Sequence, residues 1–161
     1  MGSDSDFSIM EEAANILKQF GVPHEVLVAS AHRSPGRTRS YVKKAEKQGV
    51  KVLIAGAGGA AHLAGMLAAE SHLPIIGVPI NSSPLNGLDA LLSTAQMPGG
   101  VPVASMGIGK SGAQNAGLLA VQILALEDKK LHSRLVQYKK YQAKEVEIKS
   151  KKINSIHDGN P

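Results

Sequence analysis

An α/β fold with a parallel sheet and helices on both of its faces is the class this sequence predicts, and three observations carry the prediction. Strand-length apolar runs alternate with stretches of helical period, which is the rhythm of βαβ units. Hydrophobic residues make up 43% of the 161 while aromatics make up only 3%, so the core is built from the small aliphatic side chains that close helix-on-sheet packing needs. Polar and glycine-rich motifs follow the ends of the runs, where ligands bind in such sheets.

In chain order, residues 2 to 6 read GSDSD and lead into a helix with Ile9, Met10, Ala13, Ile16, Leu17 and Phe20 on one stripe. Gly21 and Pro23 stop it. GSDSD supports two readings. It is a capped helix start, or a grip for phosphate and ribose in which serine hydroxyls and free N–H groups face an anion and a carboxylate faces sugar hydroxyls. Such a motif normally follows a strand, and only Met1 stands before Gly2, so an apolar first strand is expected upstream.

His24 to Ala29 (HEVLVA) reads as a strand that delivers SAHRSP, with Ser34 suited to an N-cap and Pro35 to the first helical turn. His32 and Arg33 then stand at a helix entrance. The arginine fork suits a phosphate and the imidazole can move a proton near neutral pH. A helix runs from about Gly36 to Gln48 and closes at Gly49, followed by a strand over Lys51 to Ala55. The chain then turns through GAGGAAHLAGM (56–66), where Gly58 and Gly59 allow a sharp bend and close approach of a ligand, and His62 enters the next helix.

The helix carrying Leu63, Met66, Leu67 and Glu70 ends before Pro74. Ile75 to Ile80 is a buried strand; Leu85, Leu88, Leu91 and Leu92 make a helix entered from NSSP; Val101 to Met106 is the last strand; Ser111 to Leu126 is the helix behind it. From Asp128, Leu131, Leu135, Tyr138 and Val146 form a narrow stripe that suits packing on another subunit or on the domain's own edge. Beyond Lys149 the composition is polar and disorder is expected. The domain reading is therefore a single catalytic unit over 1–127, a C-terminal helix over 128–148 and a polar tail over 149–161.

Cysteine is absent, which excludes disulfides, thiolate metal sites and a cysteine nucleophile. No apolar run approaches the ~20 residues of a membrane span and no charged-then-apolar leader opens the chain, so a cytoplasmic protein is expected. The net charge of +5 gathers after Asp128 as lysines among Gln and Glu, the pattern of a solvated helix rather than of a nucleic-acid surface.

Together GSDSD, SAHRSP, AGAGGAAHL, GVP followed by QMPGGVPVA, and AQNAGLLAVQIL resemble, in the same order and over nearly the whole chain, the class I N5-carboxyaminoimidazole ribonucleotide mutases, the PurE family of purine biosynthesis. The resemblance implies a three-layer flavodoxin-like fold and no cofactor or metal. It also implies a homo-octamer whose C-terminal helix packs on neighbouring subunits, and functional coupling to the N5-carboxyaminoimidazole ribonucleotide synthase. By matched position it implies that His32 is the catalytic acid and base with His62 in the same pocket, that Ser3, Asp6 and Arg33 bind substrate, and that Ser5, Ser30, Gly58 and Leu63 are close contacts. The implied reaction moves a carboxyl group from the exocyclic nitrogen of an aminoimidazole ribonucleotide to ring carbon through trapped CO2. Two alternatives are a class II carboxylase using free CO2 and a nucleotide-binding module without turnover. Ser34 stands where the family usually has Thr, and Ala64 where it usually has Pro.

Overall fold

A computed structural model describes residues 1–157. The chain divides into two compact units, 1–123 and 124–161.

In the first unit, a short 3-10 turn (Asp4–Asp6) leads into α1 (Phe7–Gln19), which buries Met10, Ala13 and Leu17 at helical spacing and ends as Gly21 takes φ 66°. α2 (Pro35–Lys47) starts with Ser34 as N-cap and a proline in its first turn. β1 (Leu53–Gly58), α3 (Leu63–Glu70), β2 (Ile75–Ile80), α4 (Leu88–Ala95), β3 (Ala104–Ser105) and α5 (Gly109–Leu124) complete the alternation.

The sheet is parallel in the order β1-β2-β3, with Leu53 opposite Ile75 and Gly58 opposite Ile80. Side chains alternate across it. Leu53, Ala55 and Ile75 pack with Val42 and Ala45 of α2 and with Leu63, Ala64 and Leu67 of α3, while Gly77 on the same face meets Thr94 of α4. Gly56 turns to the other face, against Met10 of α1, and α5 approaches α1 at Gly117, where a Cβ would come within 2.9 Å of the Ala13 carbonyl oxygen. The result is three layers, helix, sheet and helix. Every residue of β2 is buried, as a central parallel strand requires.

In this unit β1 ends at Gly58, three residues later than the sequence suggests, and three further elements depart more strongly from expectation. HEVLVA is extended but forms no strand ladder; Ala29 N–H donates to the Met1 carbonyl at 2.8 Å and the Met1 amine donates to Leu27 O at 2.9 Å. Branched residues favour extended backbone, yet a ladder needs a neighbour along its whole length, and Val26 and Val28 stay 47% and 39% exposed. Gly2 N–H in turn donates to Gly56 O at 3.0 Å, so Met1 and Gly2 lie between this segment and β1. β3 is two residues instead of six, because the Pro98-Gly99-Gly100 turn and the missing N–H of Pro102 delay pairing until Ala104 meets Ile76. α4 begins at Leu88 and not at Leu85, since Asn86 and Gly87 take φ 50° and 87°.

In the second unit, α6 (Lys129–His157) starts where Asp128 Oδ1 accepts the N–H groups of Lys130 and Leu131 at 2.8 and 3.0 Å. It continues past 148, correcting the expectation of a disordered tail from that point: the stretch from Ser150 to His157 holds no glycine or proline, so nothing in it breaks the helix. The last four residues of the expected tail lie outside the described residues.

Candidate functional site

A cavity of about 310 Å³ opens at the C-terminal end of the sheet. Residues from four places in the chain reach it because each follows an extended segment or strand: Gly2 to Asp6 after Met1, Ser30 to Arg33 after HEVLVA, Gly58 to Leu63 after β1, and Ser82 after β2. In a parallel sheet all these connections emerge at one edge. The hydrogen bonds that join 24–29 to Met1, Gly2 to Gly56, and β1 to β2 set their lateral order.

One wall is polar, with the Arg33 guanidinium beside serine hydroxyls and the Asp6 carboxyl. Arg33 is held by its own N–H on Ser30 Oγ at 3.1 Å, and its Nη2 reaches the Gly2 carbonyl at 3.2 Å, which pins the guanidinium beside the GSDSD turn. Ser34 Oγ and Thr38 Oγ1 both donate to the Ser30 carbonyl at 3.3 Å and fix that loop from below. Ser5 Oγ donates to Ser3 Oγ, and Ser3 Oγ to Asp4 Oδ1, each at 3.0 Å. Asp6 Oδ2 accepts the Ser3 N–H at 3.0 Å. Burial pushes the Asp6 carboxyl above the usual carboxylate range, against the opposing pull of the N–H groups of Ser3 and Gly2 and the charge of Arg33. Asp4 is instead held below that range, first by the Ser3 hydroxyl.

The other wall carries the imidazoles and almost no other polar side chain. His32 Nε2 and His62 Nδ1 lie 2.6 Å apart with the rings 4.7 Å between centroids and inclined at 81°. Only one of the two facing nitrogens can carry a proton at that distance, so the rings form a donor and acceptor pair. His62 is the N-cap residue of α3, with its N–H on the Ala60 carbonyl at 2.8 Å, and the turn before it is made possible by Gly59 at φ 58°. Gly58 has a different reason to be glycine: a Cβ there would collide with the Ser82 hydroxyl.

All nine residues singled out from the sequence, His32, His62, Ser3, Ser5, Asp6, Ser30, Arg33, Gly58 and Leu63, line this one cavity. Ser82 lines it too and was missed, although its place two residues after a buried strand was a usable signal. Among the described residues no three His, Asp or Glu side chains gather in a way that could hold a metal ion.

The AIR carboxylase family model matches residues 1–145. A protein of Pyrococcus horikoshii named N5-carboxyaminoimidazole ribonucleotide mutase is 52% identical over 156 residues, covering 97% of this chain and 87% of its own. One of the same name from Bacillus subtilis is 57% identical over 135 residues, covering 84% and 83%. The crystal structure of Treponema denticola PurE superposes with a TM-score of 0.86 at 29% identity, covering 94% of each chain, and its architecture is the flavodoxin-like α/β fold described above.

Proposed function

This chain belongs to the AIR carboxylase family and is an enzyme of purine biosynthesis, a mutase of the kind its relatives are named for, and on that premise we propose how its residues carry the reaction. The substrate is N5-carboxyaminoimidazole ribonucleotide. Its phosphate lies at Arg33 and the serines of GSDSD, with the Asp6 carboxylate on ribose hydroxyls. A planar guanidinium whose Nε faces Ser30 Oγ at 3.5 Å and whose Nη2 donates to the Gly2 carbonyl is oriented for a bidentate grip.

His32 gives its proton to the carbamate nitrogen, the N–C bond breaks and CO2 is released. The glycine and alanine backbone around Gly58 to Ala61 holds CO2 where bulk water is few. The electron-rich ring carbon then attacks it, a C–C bond forms, and the proton left on that carbon returns to His32. One proton thus leaves and comes back, and between turnovers it rests in the contact between His32 and His62. Such acid and base work by one side chain contributes about 10²–10⁴ in rate, and holding CO2 against the ring supplies the rest.

The single observation that carries this reading is the 2.6 Å imidazole contact in the same cavity as Arg33 and the GSDSD turn. An ultraviolet assay of ring-carboxylated product, started from the N-carboxylated ribonucleotide, tests it; no product from that substrate, with product from aminoimidazole ribonucleotide and free CO2, overturns it.

The assembly is a homo-octamer acting in the cytoplasm after the synthase that makes its substrate. Exposed Phe7, Leu85, Leu88 and Leu92 on the first unit support subunit contacts, as do Val136, Tyr141, Val146 and Ile153 along α6, which packs on neighbouring subunits. Light scattering that finds a monomer overturns the assembly.

A further inference from the structure

Two serines follow β2 side by side, and the fold uses them differently. Ser83 Oγ donates to Asp89 Oδ1 at 2.9 Å and accepts the Leu85 N–H at 3.2 Å, so it braces the loop into α4. Ser82 Oγ makes no hydrogen bond to another described residue, and it lines the cavity. It also stands directly against Gly58, in space that any side chain at 58 would take.

Its position along the sheet edge decides what it can meet. The lateral order is the loop of Arg33, then the turn of Ser3 and Asp6, then the glycine turn, then Ser82. Ser82 is therefore at the far end of the site, roughly 10 Å by two strand spacings from the GSDSD turn on which the Arg33 guanidinium is pinned. A ribonucleotide seated with its phosphate at Arg33 points its base toward this end. Apart from His62, the nearby lining is Ala57, Gly58 and Ala60, whose side chains have no donor.

We propose that the Ser82 hydroxyl is a further catalytic group: it donates a hydrogen bond to an oxygen of the migrating carboxyl group and retains CO2 between its release and its recapture. The hydroxyl rotates freely and serves all three forms of the group, carbamate, CO2 and ring carboxylate, because each presents an oxygen lone pair. Ser82 loses no proton; the only covalent changes are the N–C bond broken, the C–C bond formed and the proton cycled through the histidine pair. This assignment rests on the trapped-CO2 reading above.

The test follows substrate with a 13C carboxyl group in unlabelled bicarbonate, using the full chain, Ser82→Ala and Ser82→Thr. In Ser82→Ala the turnover number falls by about tenfold to a hundredfold, the scale of losing one preorganised donor. Its Michaelis constant changes by less than about threefold, because the phosphate grip is intact. Label is lost to the buffer and free aminoimidazole ribonucleotide accumulates, whereas Ser82→Thr restores retention. Label kept as fully by Ser82→Ala as by the unchanged chain overturns the role of Ser82 alone. Label lost already by the unchanged chain overturns the trapped-CO2 reading and this assignment with it.

Discussion

The two walls of the cavity are made by opposite means. The wall of Ser3, Ser5, Asp6, Ser30 and Arg33 is dense in hydrogen bonds, and each side chain there is held by another polar group. The wall of Gly58, Ala60 and Leu63 is bare except for the imidazole pair and Ser82. A dense polar wall binds charge and sets orientation, while a bare one leaves a reacting group few partners besides those placed for it. Binding and turnover are therefore expected to separate by wall when residues are changed.

The largest break comes from His32→Asn. Turnover falls by about 10²–10⁴ while calorimetry finds ligand affinity nearly unchanged. Near-normal turnover would remove His32 from the chemistry. Next, Gly58→Ala drives a methyl group into the Ser82 hydroxyl and to 3.2 Å from the Ile80 carbonyl oxygen. A displacement of that kind costs about a hundredfold in turnover, with a smaller effect on the Michaelis constant. Equal turnover with a folded variant would show that the glycine wall tolerates a side chain.

Changes on the polar wall are milder and appear in binding. Arg33→Lys replaces a fork by a point charge and raises the Michaelis constant by about tenfold, one or two hydrogen bonds' worth. An unchanged constant would place the phosphate elsewhere. Asp6→Asn gives the smallest effect and sharpens the comparison most, because it sets function against stability. The folded chain holds the Asp6 proton more tightly than the unfolded chain does, since burial raises its pKa. Its stabilising contribution is therefore complete below the ordinary carboxylate pKa and is lost as pH rises through the raised value. At neutral pH the amide variant should melt at the same temperature or higher, and its advantage over the unchanged chain should grow as pH rises from the acid range. Its Michaelis constant rises a few-fold, by about one hydrogen bond. A variant that melts lower at neutral pH would show that the carboxylate stabilises the fold.

Most of the alternation was legible without coordinates. α1 and α2 announce themselves by period and glycine stops, α3 ends ahead of Pro74, and β2 is a run of apolar residues with the bounds expected of it. The two strand failures share one cause. HEVLVA has strand composition, and the stretch from Val101 to Met106 has it too, but pairing depends on what lies beside a segment and local preference does not report that. At α6 the error ran the other way: polar composition suggested disorder, while a stretch without glycine or proline carries the helix to His157.

Residue order alone determined that SAHRSP and the glycine motif would each follow an apolar run, since hydrophobic pattern places those runs and the motifs come after them. Tertiary structure decided which of those residues touch. His32 and His62 are 30 positions apart and meet at 2.6 Å only because residues 1 and 2 lie between their two segments and set the lateral order of the sheet. Ser82 turns to the cavity while Ser83 turns to Asp89 for a similar reason: neighbouring serines are alike in sequence, and only the packed loop gives one of them a partner and leaves the other facing the site.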